Sequence, residues 1–405
     1  MNARKLKGEQ IAKTVQIQKQ GVDKWLVPSQ SGRGTYTVNR VGEDFECSCP
    51  DFQNRCSLGQ VCKHIYAVEI KVLKWFDSQG NSGTEIAIKK TYTQEWSSYN
   101  KSQITEKERF MELLKGLTES VPENHREGRG RPQMPIRELL FASALKVYSQ
   151  FSLRRFMTDL NTAKGKGYIV NAPCYSLIGK FMEREDTTPI LSGLIQQSSL
   201  ALRSVETNFA VDSSGFRTTK FNDYCREKHE TKQSHEWLKC HIITGVKTNI
   251  ITGVEVGFEH HTADSPQFIP LVKETAELGF SIEEVSADKA YNSKDNYNAV
   301  QELGGTAYIP YRSNITALAN TGNRARLWRK MFHYFKLNQD EFMEHYHKRS
   351  NVETTFFMVK AKFGDMIRSK TKTAQVNELL LKVLCHNIVV LNSAVNELGI
   401  RANFT

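Results

Sequence analysis

A chain of 405 residues exceeds one compact core of ordinary size and predicts two or three domains of roughly 100 to 200 residues each. Lys and Arg number 55 against 44 Asp and Glu, and the formal charge of +11 favours a polyanionic partner, nucleic acid before an acidic membrane. The opening MNARKLKGEQIAKTVQ lacks an apolar signal core and no apolar run approaches the roughly 18 residues of a bilayer span, so the expectation is a cytoplasmic, nucleoid-associated protein with no membrane partner.

In a reducing compartment the eight cysteines read as metal ligands or small core residues before disulfides. Within an expected module of residues 1–76, residues 22–46 alternate in short β-like runs (Trp25 to Val27, Tyr36 to Val38, Phe45-Glu46) around the turn-rich Ser31 to Gly34. Ile65, Val68, Val72 and Phe76 then recur at the helical period, which predicts two strands and a helix. Cys47-Ser-Cys49 and Cys62-Lys-His64, twelve residues apart, offer the four soft or borderline corners that tetrahedral Zn²⁺ requires. The pattern resembles the SWIM zinc finger, Cys-x-Cys then Cys-x-His, which implies that Cys47, Cys49, Cys62 and His64 hold the zinc. Cys56 is left as a spare thiol, and basic residues nearby suit DNA end binding ahead of protein contact.

Residues 77–101, rich in Ser, Gly, Thr and Gln, read as a linker, and Glu127 to Pro132 as a second break. Residues 102–204 read as an all-α DNA-binding region, with helical windows at 104–118, 135–150, 152–163 and 175–200 and with Pro135 and Pro189 near helix starts. From 205 to 405 the pattern turns to strands: Asn208 to Val211, then a hairpin of Trp237 to Thr244 and Ile250 to Val256 turning at Lys247-Thr248-Asn249. A helix (Ser265 to Leu278), a strand (Ile282 to Ala287), a helix near 293–303, a strand (Thr306 to Pro310) and a long helical stretch from about 340 to 398 follow. This order predicts a ribonuclease-H-like α/β domain.

Within it Asp212 and Asp288 each end an apolar run, at the expected exits of two buried strands, where open α/β sheets place their sites. Taken singly, each also reads as a helix cap or a loop residue. On a helix, Tyr346, Arg349 and Lys360 fall at about +20°, −40° and −20° from Glu353, one narrow stripe, beside a second, apolar stripe of Val352, Phe356, Val359 and Phe363. A row of surface salt bridges would account for Arg349 and Glu353 but not for Tyr346 and Lys360. The spacing Y-x2-R-x3-E-x6-K resembles the last catalytic helix of insertion-sequence DDE transposases, and the segments around Asp212 and Asp288 look like that family's first and second aspartate motifs.

The resemblance implies that Asp212, Asp288 and Glu353 bind catalytic Mg²⁺ or Mn²⁺. Tyr346, Arg349 and Lys360 would then contact phosphates of a transposon end, with little bearing on metal affinity. It implies double-stranded DNA ends and target as partners, a dimer on paired ends, hydrolytic nicking, a hairpin intermediate and strand transfer. Only 64 residues separate Asp288 from Glu353, fewer than in members with a β-rich insertion; Trp328, in the basic segment between them, is a candidate for stacking a flipped base, against the simpler reading of a packed Trp. The alternatives are a DNA-binding regulator derived from a transposase and a nuclease of the same fold without strand transfer.

Overall fold

A computed structural model describes residues 4, 7, 8, 10, 11, 17–21, 24–30, 34–41, 44–55, 61–71, 73–76, 82–85, 96–123, 133–218, 237–258, 264–315, 322–402 and 404. Cys56, Cys225 and the expected break at Glu127 to Pro132 lie outside the described residues. The chain divides into two compact units, Met1–Thr93 and Gln94–Thr405.

In the first unit, β1 (Gln18–Gly21), β2 (Lys24–Pro28), β3 (Thr35–Val41) and β4 (Asp44–Cys47) form one antiparallel sheet in that order. Four strands stand where hydropathy predicts two. The edge strand β1, Gln-Lys-Gln-Gly, carries no apolar residue and is defined by backbone pairing alone, Gln18 opposite Leu26 and Lys19 opposite Trp25, which periodicity cannot register. Trp25, Val27 and Val38 face Ile65, Ala67 and Val68 of a helix at Lys63–Lys71, preceded by a short helix at Pro50–Arg55. We call these helices α2 and α1. The expected helix stops at Lys71: Leu73–Phe76 is strand β5, paired antiparallel with β6 (Ser82–Glu85) inside the expected linker. A four-residue apolar run fits either period, and tertiary pairing decides.

The second unit opens with α3 (Trp96–Ile104), α4 (Glu106–Glu119), α5 (Ile136–Ser149), α6 (Leu153–Gly165), α7 (Tyr175–Met182) and α8 (Thr187–Ser199). Pro135 is the N-cap of α5, whose first amides, at Ile136 and Arg137, donate to the Glu123 carboxylate at 3.0 and 3.2 Å. These helices share one core with the sheet that follows: Phe110, Leu140, Phe156 and Leu194 join Ala210, Phe216, Leu238 and Ile242.

That sheet has the order β11-β10-β7-β8-β9. β7 (Asn208–Arg217), β8 (Trp237–Gly245) and β9 (Ile251–Phe258) are antiparallel, while β10 (Glu284–Ala287) and β11 (Thr306–Tyr308) run parallel to β7. This is the expected ribonuclease-H-like arrangement. The β8–β9 turn uses Asn249 in the left-handed region (φ 64°), a conformation Asn tolerates, and buried Glu206 accepts the amides of Lys247 and Thr248.

One sheet face packs on α13 (Ser350–Phe363) and α14 (Lys372–Leu398), the other on α9 (Asp264–Glu277), α10 (Lys294–Glu302), α11 (Arg326–Leu337) and α12 (Gln339–Tyr346). The single long helical stretch expected from 340 to 398 is therefore three helices. A 3₁₀ turn at His347–Arg349 interrupts it, and Gly364, at φ 80°, ends α13 in a backbone conformation that costs a non-glycine residue free energy.

The sequence reading also passed over α14 as an apolar run: it is 27 residues long and apolar enough to cross a bilayer, yet 89% of its most apolar window is buried inside the protein. Its polar side chains find partners there. Asn387 donates to the Ile251 and Ile195 carbonyls, and Lys382 to those of Gly364 and Met366, as a core helix buried on all sides requires.

Candidate active site and zinc centre

Strand alternation sends Ala210, Asp212, Ser214 and Phe216 of β7 to the α13 side and Phe209, Val211 and Ser213 to the other. Asp212 thus lies inside a ten-residue strand, opposite Ile242 of β8, rather than at a strand exit as expected. The apolar run ends at Val211 although the strand continues to Arg217. The parallel register pairs Ala287 with Val211, so Asp288, the next residue after β10, comes beside Asp212. Asp288 then opens the 3₁₀ turn Lys289–Tyr291, its carbonyl accepting the Tyr291 amide at 2.9 Å.

Glu353 arrives from above, in the first turn of α13, where the helix dipole favours an acid. The predicted apolar stripe seats that helix: Val352, Phe356, Val359 and Phe363 are all in the core. Arg349, at the N-cap of α13, donates to Asp212 Oδ2 at 2.6 Å and also to Glu353 Oε1, tying the strand acid to the helix acid. Its guanidinium carbon lies 5.8 Å from the centre of the Tyr346 ring. Lys360 donates to Ser214 Oγ at 2.7 Å and lies over the Phe216 ring, and burial lowers its pKa. The 3₁₀ turn breaks the regular 100° step on which the stripe was reckoned, yet Arg349 and Lys360 still reach Asp212 and Ser214 of β7, with Tyr346 and Glu353 beside Arg349.

Burial raises the Asp212 carboxyl, with the Asp288 and Glu353 charges adding to it, while the Ser213 amide and Arg349 pull it down. Acids from three elements that feel one another's charge, with a guanidinium seated between two of them, offer the oxygen donors that hard divalent ions take.

Two supports were missed. Glu284, on the same face of β10 as Asp288, accepts from Lys348 Nζ at 2.6 Å and pairs with His345 Nδ1 at 2.9 Å, fastening the α12–α13 junction over the sheet. On the opposite face, Ser213 Oγ donates to Asp264 Oδ1 at 2.9 Å, and Asp264 also pairs with Lys239 at 2.6 Å. Glu284 was within reach of the sequence, as an acid at even spacing before Asp288; its partners about sixty residues away were not.

Trp328 is placed otherwise than a base-stacking role demands. It is 2% exposed, stacked on Phe332 and edge-on to Tyr311, with its Nε1 donating to Asn292 Oδ1 at 2.8 Å. Asn292 in turn donates to the carbonyls of Ile309 and Pro310, so the ring braces the loop after Asp288 from within the core.

In the first unit Cys47, Cys49, Cys62 and His64 are all buried, with their ligand atoms within 4.8 Å of one another. His64 Nδ1 stands 3.9 Å from Cys47 Sγ and 4.0 Å from Cys62 Sγ, near the roughly 3.5 to 3.8 Å edges of a tetrahedral zinc site. The hydrogen bond from Cys47, helped by His64, holds the Cys62 thiol well below its ordinary range, and Cys47 is raised in exchange. A thiolate already favoured in a closed, buried cluster fits a structural zinc.

The second unit has the ribonuclease-H-like fold and the first a separate Cys/His module. Residues 203–388 match the transposase DDE domain family and residues 36–73 the SWIM zinc finger. The chain carries a transposase DDE domain behind a SWIM zinc finger. Curated proteins give no match. Among solved structures the chain is similar to a piggyBac transposase in a synaptic complex with hairpin DNA, at 12% identity and a TM-score of 0.35 over 73% of this chain and 74% of that one.

Proposed function

We propose that the protein cuts and rejoins DNA at the ends of a mobile element, with Asp212, Asp288 and Glu353 as the ligands of catalytic Mg²⁺ or Mn²⁺. The observation that carries this reading is the Arg349 bridge, which brings an acid of the central strand and an acid of α13 to one cation position beside Asp288. When bound, a pair of such ions activates the attacking oxygen and stabilises the leaving one.

The chain's own groups then orient the DNA. Arg349 and Lys360 are cations of the same face and suit backbone phosphates, and Tyr346, beside Arg349, offers its hydroxyl to the same strand. Burial within the α13 contact restricts these side chains before DNA arrives, which lowers the entropy cost of gripping it. Cys47, Cys49, Cys62 and His64 hold a structural Zn²⁺, and the finger and the helices of residues 102–204 supply DNA end binding, a dimer engaging paired ends. The test is incubation of purified protein with Mg²⁺ or Mn²⁺ and a duplex carrying the native element's ends. Cleavage at the end boundary and joining to a second duplex are expected; metal-dependent nicking with no joining would leave only the nuclease activity.

A further inference from the structure

The Arg349 guanidinium lies between two of the proposed ion ligands, with one terminal nitrogen on Asp212 and the other on Glu353. The Arg349 and Asp212 side chains are 19% and 20% exposed, so their contact is poorly screened, whereas Glu353 is 59% exposed. A cation so placed neutralises acids from two separate elements, which is the electrostatic work a divalent ion does in the same position. The neighbouring cations are committed elsewhere: Lys360 to the Ser214 hydroxyl and Lys348 to Glu284. Arg cannot shed its proton in this range, so it leaves only by exchanging partners.

We propose that Arg349 is a displaceable occupant of the divalent-ion site: it competes with the ion for Asp212 and Glu353, and once released it reaches a DNA phosphate, so that ion and DNA strengthen each other's binding. The inference rests on the reading of the three acids as ion ligands. Coupling of this kind is reciprocal; whatever factor the ion adds to DNA affinity, DNA adds to ion affinity. It also reverses the expectation that Arg349 has little bearing on metal affinity, because the residue that grips phosphate and the residue that guards the ligands are one and the same.

The experiment titrates Mn²⁺ alone into the full-length, zinc-loaded protein and reads the free ion by electron paramagnetic resonance. Arg349→Gln is expected to bind Mn²⁺ about tenfold more tightly than the unaltered chain, within the usual range of coupling between sites. Arg324→Gln, which removes an exposed cation paired with Asp295 away from the three acids, should bind as the unaltered chain does. Arg349→Lys, which keeps the charge but loses the fork, should fall between, and it serves as the second variant if Arg349→Gln does not fold by circular dichroism. Asp212→Asn runs alongside: if it leaves Mn²⁺ binding untouched, the ligand reading itself fails. If Asp212→Asn weakens binding while the folded Arg349 variants bind equally or more weakly than the unaltered chain, displacement alone is overturned. With Ca²⁺ and a short random-sequence duplex, the ion should tighten DNA binding by the unaltered chain and not by Arg349→Gln; equal tightening in both would also overturn it.

Discussion

Asp212 shows at the scale of one side chain how a functional site departs from local economy. A carboxylate in the body of a strand, beside a second acid and beneath a third, is charged against its surroundings, and burial is the largest reason its pKa rises. The arrangement is sustained by Arg349 without bound metal and is suited to an ion with it. Asp212→Asn, Asp288→Asn and Glu353→Gln are each expected to lower divalent-dependent DNA cleavage by at least about a hundredfold, more than loss of a partner one shell out commonly costs, while DNA binding persists. Cleavage assays beside gel-shift binding check this, and near-unaltered cleavage by any one variant removes that residue from the site. Trp328 belongs to the same scale with the opposite lesson. As a buried ring in the α11 core, Trp328→Ala should cost about 3 to 5 kcal/mol of stability in denaturant unfolding, and the folded fraction should bind DNA as before. A stable variant with weakened DNA binding would return the ring to the DNA.

At the scale of elements, α14 and the β8–β9 hairpin are joined by His386, whose Nε2 meets the Asn249 carbonyl at 2.9 Å. Burial depresses this imidazole to about 4, and burial likewise depresses His241 to about 4. Both rings are neutral in the fold and take up a proton when the chain unfolds below about 6.5. A depressed base contributes stability that is present above its unfolded pKa and lost as pH falls through its folded one, so the window lies between about 6.5 and 4. Denaturation midpoints should fall across that window by the equivalent of a few kcal/mol for the two rings, and His386→Gln, able to keep a donor on Asn249, should show a shallower fall. An equal slope in the variant would assign the acid lability to other groups.

At the scale of the whole molecule the chain is two units with different sources of stability. Gln94–Thr405 packs helices and sheet around large apolar clusters, whereas the core formed by the described residues of Met1–Thr93 is small and includes Cys47, Cys49 and Cys62 themselves. Small modules of that kind draw much of their folding free energy from metal. The protein purified without chelator should contain about one tightly held zinc per chain, less in Cys47→Ser or His64→Ala. Chelation should raise the protease sensitivity of the first unit while the main thermal transition of the second stays in place. Metal analysis finding no zinc would remove the finger's metal.

How far the molecule could be read in advance follows from where each signal resides. The clustered cysteines and histidine, the succession of strands and helices along the second unit and the apolar stripe of α13 were legible because spacing and hydropathy are local properties of the chain. The continuity of the 340–398 stretch was misread, since the 3₁₀ turn at His347–Arg349 and the stop at Gly364 interrupt a pattern that otherwise keeps helical period. Strand β1 was invisible because Gln-Lys-Gln-Gly carries no apolar residue and the strand is recognised by its pairing with β2. The sequence by itself determined which acids and cations are available and on which kind of element each stands. Only the tertiary structure decided that Asp212 sits mid-strand beside Asp288, that Arg349 spans Asp212 and Glu353, and that Trp328 faces inward, because these depend on a parallel register and a helix crossing that join residues 75 to 140 positions apart, beyond the reach of any local period.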